Sequence, residues 1–109
     1  MASSGFRHDV FEAIADPTRR KILHLLAERE MSIAAITECF SLSRTAVNKH
    51  LQFLSDAGLV ISQKAGRETR YQLQPEPLVE LKLWLAFFEH YWDEKLSALK
   101  KFIESDQND

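Results

Sequence analysis

The chain passes through stretches of helical and of strand periodicity, and the points where the period changes mark its elements. Asp16-Pro17 has the form of a helix start, an N-cap acceptor followed by the residue best tolerated at the first helical position. Ile22, Leu23, Leu25 and Leu26 then recur at helical spacing and carry that helix to about Glu28. Upstream, Val10, Phe11 and Ile14 predict a short helix over about residues 7–15. Ser32 caps a third helix with Ile33, Ile36, Cys39 and Phe40 on its apolar side, and Ser41-Leu42-Ser43 turns the chain. Ser43 caps a fourth helix in which Val47, Leu51 and Leu54 form the inward stripe and Gly58 supplies a left-handed end.

After Gly58 the period drops from 3.6 to 2. Leu59–Lys64 and Thr69–Leu73 read as two strands around Ala65-Gly66-Arg67-Glu68, a β-hairpin with basic residues at its tip and edges. Pro75 ends the second strand and Pro77 opens a helix predicted to run unbroken from about Glu76 to Glu104. At 1.5 Å per residue it would be on the order of 40 Å long. Its stripe holds Leu81, Trp84, Leu85, Phe88, Tyr91, Trp92, Leu96 and Leu99, a wider aromatic surface than so small a body can cover. A second copy of the chain is therefore the expected cover, with Phe11, Leu81, Trp84, Leu85, Phe88, Tyr91 and Trp92 as dimerisation residues. The fold class expected is mostly α with a small β-hairpin wing: a dimeric winged helix-turn-helix in the order α-α-α-α-β-β-α. Residues 1–109 form one domain, with 7–15 and 76–104 as dimerisation helices, 32–57 as the helix-turn-helix and 59–74 as the wing.

Composition narrows the class without choosing it. The 109 residues are 45% hydrophobic and 28% charged, ordinary for a globular chain. No run of apolar residues is long enough for a membrane helix, and the first residues lack the apolar stretch of a secretory signal. A single cysteine, Cys39, excludes an internal disulfide and suits a reducing cytoplasm, so no membrane partner and a cytoplasmic location are expected; Cys39 itself reads as a small buried hydrophobe. The formal charge of −2 argues at first against nucleic acid, but it is an average. Residues 16–74 carry nine basic against six acidic groups, whereas residues 75–109 carry four against eight.

The basic excess falls on the elements that could meet DNA. The first turns of a helix laid in the major groove reach base edges, which nominates Arg44, Thr45, Asn48 and Lys49, with Ser43 capping the helix close to phosphate. Gln52 reaches phosphate or faces water. On the wing, Arg67 at the tip suits minor-groove or phosphate contact, and Lys64 and Arg70 suit phosphate. His50 is one residue out of phase with the reading face, so packing and phosphate contact stand equally. Arg19 and Arg20 read as structural or solvated. No nucleophile–base set, paired carboxylates or glycine-rich loop is present, and the four histidines are scattered, so no enzyme and no cofactor is expected.

Four motifs in order carry a family likeness. Asp-Pro-Thr-Arg-Arg-Lys-Ile-Leu (16–23), Ser-Arg-Thr-Ala-Val-Asn-Lys-His-Leu (43–51), Leu-Ser-Asp-Ala-Gly-Leu-Val (54–60) and Lys-Ala-Gly-Arg-Glu-Thr-Arg-Tyr-Gln-Leu (64–73) resemble the ArsR family of bacterial transcriptional repressors. The likeness covers about residues 8–104. It implies homodimers that bind a palindromic double-stranded DNA operator, repress transcription and often release DNA when an inducer binds.

The family's metal sites are not matched. Where a Cys-x-Cys pattern would stand early in the third helix, the chain has Ser32 and Ala34. His90 with Asp93 and Glu94 resembles half of a second site, but the other half falls on Pro77 and Val79, and two ligands do not hold zinc tetrahedrally. No metal is expected. Residues 91–100 resemble the tail of a subgroup without metal ligands, which implies an autorepressor or a regulator answering to a nonmetal signal; any small-molecule inducer stays unidentified. The rival readings are a winged helix used only for protein interaction and a metal-sensing repressor with an unrecognised site.

Overall fold

Local capping chemistry sets most of the helix starts. The computed structural model describes residues 8–107 of the chain. In α1 (Val10–Ala13), the Asp9 carboxylate accepts the Glu12 N–H at 2.8 Å and the Glu12 carboxylate accepts the Asp9 N–H at 3.0 Å, a reciprocal capping box. In α2 (Pro17–Glu28), Asp16 accepts the Arg19 N–H at 3.0 Å ahead of Pro17. A two-residue strand, β1 (Met31–Ser32), leads directly into α3 (Ile33–Thr37), where the Ser32 hydroxyl accepts the Ala35 N–H. Ser43 does the same for Ala46 at the start of α4 (Arg44–Asp56).

The end of α4 is a Schellman turn. The Leu59 N–H reaches the Leu54 carbonyl at 2.9 Å and the Gly58 N–H the Ser55 carbonyl at 3.0 Å, with Gly58 at φ 77°. This turn buries Leu59 and aims the chain into β2 (Val60–Ala65), which pairs antiparallel with β3 (Glu68–Leu73) from Val60↔Leu73 to Ala65↔Glu68. Only Gly66 and Arg67 lie between the paired ends, and Gly66 takes the left-handed φ of 68° that so tight a hairpin needs.

The sheet has a third member. β1 pairs with β3 at Met31↔Tyr71 and Ser32↔Arg70, giving the order β1-β3-β2. The core of this body consists of Ile22, Ile36, Val47, Leu51, Leu54, Leu59 and Val60, all fully buried, with Val10, Ala13, Leu23, Leu26 and Met31 closing around them. α5 (Leu78–Phe87) and α6 (Glu89–Gln107) follow. The chain divides into two compact units, one ending at Val79 and the other beginning at Glu80.

Four expectations change. The single helix over 76–104 is two: the ladder breaks at Phe88, whose N–H turns back to the Leu85 carbonyl at 3.0 Å in a tight three-residue step. Trp84, Phe87 and Phe88 crowd there, with Phe88 edge-on to Trp84 at 5.3 Å and to Phe87 at 5.0 Å. The helix predicted over 7–15 is the short α1, and residue 7 lies outside the described residues. The wing strands reach Ala65 and Glu68, so the loop is two residues and not four. Cys39, expected among buried apolar side chains, is exposed beyond the end of α3, its thiol 3.6 Å from the Ala35 carbonyl.

Leu54 sits in the centre of this core and also supplies a carbonyl to the Schellman turn. Leu54→Ala is expected to lower the unfolding free energy by about 2–5 kcal/mol, read as a lower denaturation midpoint with an unchanged urea m-value.

Candidate nucleic-acid interface

The inward stripe of α4 dictates what its other face presents. With Val47, Leu51 and Leu54 buried, Ser43, Arg44, Thr45, Asn48, Lys49 and Gln52 are all exposed. Arg44, Thr45 and Asn48 form one wall of an open groove of about 530 Å³. Ser32, Ile33 and Ala34 form its floor end, and Arg67, Glu68, Thr69 and Tyr71 of the wing the opposite wall. One concave surface thus joins the N-terminal half of α4 to the hairpin tip. Unpaired N–H groups and the helix dipole at the start of α4 add positive potential beside Arg44.

Strand register sorts the wing cations. Residues paired across a ladder share a face, and successive residues alternate. Lys64 pairs with Thr69, and Ser62 with Tyr71, so Lys64 stands on the face that turns towards the groove. Arg70 pairs with Gln63 on the other face. There its Nε is 3.1 Å from a Glu30 carboxylate oxygen and its Nη1 is 2.9 Å from Glu68. Gln52 lies outside the groove and donates to Asp56 at 3.1 Å along its own helix. Ser43 is engaged as the cap.

Behind the groove, α4 is tied to the body by a polar and aromatic junction. The Arg19 guanidinium lies 3.9 Å over the Phe53 ring, and the His8 ring stacks on Phe53 at 3.8 Å. Arg19 also donates to the carbonyls of Ala13 at 2.8 Å and Glu12 at 3.0 Å, at the C-terminal end of α1. Arg20 donates to the Ile14 carbonyl at 2.7 Å. Both arginines are structural, as expected. His50 faces the same junction, half-buried, with Nδ1 3.5 Å from Arg19 Nη1 and 3.9 Å from the Asp16 carboxylate. For Asp16, partial burial opposes ionisation, but the Arg19 backbone N–H and the charges of His50 and Arg19 outweigh it, holding its carboxyl below the usual 3.8.

Sequence reasoning missed Thr69 and Tyr71 on the groove wall and Ser32, Ile33 and Ala34 at its end. Thr69 and Tyr71 were accessible from period-2 alternation on a strand with Lys64 as register neighbour. The other three required the β1–β3 pairing, which a two-residue strand does not announce. Of the expected dimerisation residues, Trp84, Leu85, Tyr91 and Trp92 are exposed, and Phe11, Leu81 and Phe88 are partly covered. His90, Asp93 and Glu94 lie exposed on α6, and among the described residues no group of three or more His, Cys, Asp or Glu is placed to hold a metal ion.

A capped helix with a polar face, followed by a short hairpin that extends its groove, defines a winged helix-turn-helix protein of the DNA-binding regulator class. The chain belongs to the arsR family of bacterial regulatory proteins, whose model matches residues 16–62. It is 33% identical over 99 residues to the HTH-type transcriptional regulator Rv2034 of Mycobacterium tuberculosis, covering 91% of this chain and 90% of that one. It is 35% identical over 89 residues to the transcriptional repressor SdpR of Bacillus subtilis, covering 82% of this chain and 99% of the repressor. Among solved structures, an ArsR-like transcriptional regulator from Rhodococcus sp. RHA1 matches with a TM-score of 0.69 and 38% identity, over 88% of each chain. The chain is a transcriptional regulator of this family and not an enzyme. No helix among the described residues is long and apolar enough to cross a membrane.

Because the Asp16 carboxyl is held below 3.8 in the folded state, its contribution is complete above that value and is lost as pH falls through the lowered one. Asp16→Asn keeps an N-cap acceptor but removes the charge. Its denaturation midpoint is expected to fall less steeply than that of the parent chain between pH 5 and the acid limit, measured by urea unfolding across about two pH units.

Proposed function

We propose that the chain works as a homodimeric repressor that binds an inverted repeat in the DNA of its own operon. The observation that carries this reading is the groove shared by Arg44, Thr45 and Asn48 of α4 and by Arg67 of the wing. Arg44 and Asn48 have the side chains for bidentate contact with guanine and adenine edges, Thr45 and Lys49 stand beside them, Ser43 caps the helix close to phosphate, and Gln52 reaches phosphate or faces water. Arg67 at the hairpin tip enters the minor groove or meets its phosphates, with Lys64 beside it. A protein-interaction module would favour an acidic or apolar face here, and this one is Arg, Thr, Asn and Lys.

Dimerisation supports the same reading. α5 is apolar apart from Glu80 and Lys82, and Leu83, Phe87, Leu96 and Phe102 are each more than half exposed. Such a surface on a chain of 12.6 kDa is suited to a second copy. A two-fold dimer then places two α4 helices in successive major grooves roughly 34 Å apart, which is why the operator is an inverted repeat. Ser32 and Ala34 occupy the positions of the family's thiolate ligands, so the proposed regulator is an autorepressor or responds to a nonmetal signal.

A gel shift with DNA from upstream of the chain's own gene tests the assignment. Arg44→Ala is expected to cost about 1–3 kcal/mol and to relax preference at one base pair. Arg67→Ala is expected to weaken binding evenly across sequences and to flatten its salt dependence. Unchanged affinity in both variants would remove the interface. Sedimentation should give twice 12.6 kDa, and a monomer at micromolar concentration would remove the dimer.

A further inference from the structure

We propose that Arg70 is a positioning residue for the wing, with Glu30 as its anchor, and not one of the phosphate ligands. The proposal rests on the DNA-binding reading above for its functional consequence, but its structural basis is independent of that reading. Arg70 and Gln72 occupy alternate positions of β3, on the face opposite Thr69 and Tyr71 of the groove wall. Both converge on one carboxylate: Arg70 Nε donates to Glu30 Oε1 at 3.1 Å and Gln72 Nε2 to Glu30 Oε2 at 2.6 Å. Glu30 immediately precedes β1, so this fork fastens the hairpin to the connection between α2 and α3 next to the Met31↔Tyr71 and Ser32↔Arg70 pairs.

The second nitrogen of Arg70 is also engaged. Its Nη1 donates to Glu68 Oε1 at 2.9 Å, and Glu68 borders the two-residue turn that carries Arg67. A phosphate approaching Arg70 would meet the negative charge of the two carboxylates already held by Nε and Nη1. Instead the chain Glu30–Arg70–Glu68 runs from the body to the wing tip, and Arg67 lies about three residues or 10 Å along the chain from Arg70. It also neutralises an acid beside the turn that would otherwise repel the DNA backbone. An isolated exposed ion pair contributes little, but here two donors share one carboxylate and one guanidinium bridges two, which restrains the geometry.

The two roles differ in the sign of one substitution. Glu30→Gln removes a negative charge, so if Arg70 were a phosphate ligand the change would leave DNA affinity equal or tighter. As an anchor, its loss weakens affinity. Full-length parent, Glu30→Gln, Arg70→Gln and the double variant are titrated by fluorescence anisotropy onto a labelled duplex from upstream of the gene, across a salt series. The expected result is a several-fold loss in each single variant, no further loss in the double, and a salt slope the same in all four. Equal or tighter binding by Glu30→Gln, or a slope smaller by about 0.9 in Arg70→Gln alone, would overturn the proposal.

Hydrogen exchange on the free proteins supplies the readout that does not involve DNA. Amides of β1 and β3 are expected to exchange faster in both single variants and to the same extent in the double. Unaltered exchange in both would overturn the anchor whatever the DNA data show. A parent chain that fails to bind DNA while its variants show the faster exchange removes the DNA reading and leaves the anchor standing.

Discussion

Burial of one stripe of α4 is the constraint on which the rest of this molecule depends. Val47, Leu51 and Leu54 are removed from solvent against the neighbouring α2, α3 and β2. At roughly 1.5–3 kcal/mol for each large side chain, that burial outweighs any preference of the polar residues between them. It fixes the rotation of the helix about its axis, so Arg44, Thr45, Asn48 and Lys49 have nowhere to go but outward. The same helix then ends in the Schellman turn that buries Leu59 and sets the direction of β2. The recognition face and the wing are thereby two consequences of one packing decision.

The charged residues divide according to what lies beside them. Arg19 and Arg20 direct their guanidinium groups at carbonyls at and just beyond the end of α1, and Arg19 adds the face of Phe53. They tie the short first helix to α2, and Arg19 extends the tie to α4, where four residues could not hold themselves. Arg44 and Arg67 face the groove instead. Cations of equal formal charge thus serve as internal ties or as a binding surface, and the presence of a carbonyl or carboxylate acceptor within reach decides which. The formal charge of −2 conceals this division as well as the acidic excess beyond residue 74.

Much of this arrangement was legible in the chain. Asp16, Ser32, Ser43 and Gly58 announce their caps and stops because capping is local chemistry, settled within three or four residues. The stripe of α4 and the hairpin around Gly66 follow from periodicity for the same reason. Less legible was whatever the helical period does not record. The break at Phe88 coincides with a cluster of three rings, inside a pattern that remains helical throughout. Cys39 has an apolar neighbourhood in sequence but lies past the end of α3, where the helical phase that would have buried it no longer applies.

The sequence by itself determined the helices up to α4 and the hairpin that follows, the helix caps, the face that α4 buries and the basic residues left on the other face, because each is settled by neighbours within about one or two turns. Only the tertiary structure decided that β1 joins the sheet, that Tyr71 and Ala34 line one groove with Arg44, and that Arg70 meets Glu30 across forty positions of chain. Those depend on which backbone edge lies beside which, and on which face of β3 a side chain leaves from. Such long-range pairings carry no local signature, since their free energy is gained only after the core has closed and brought the partners together.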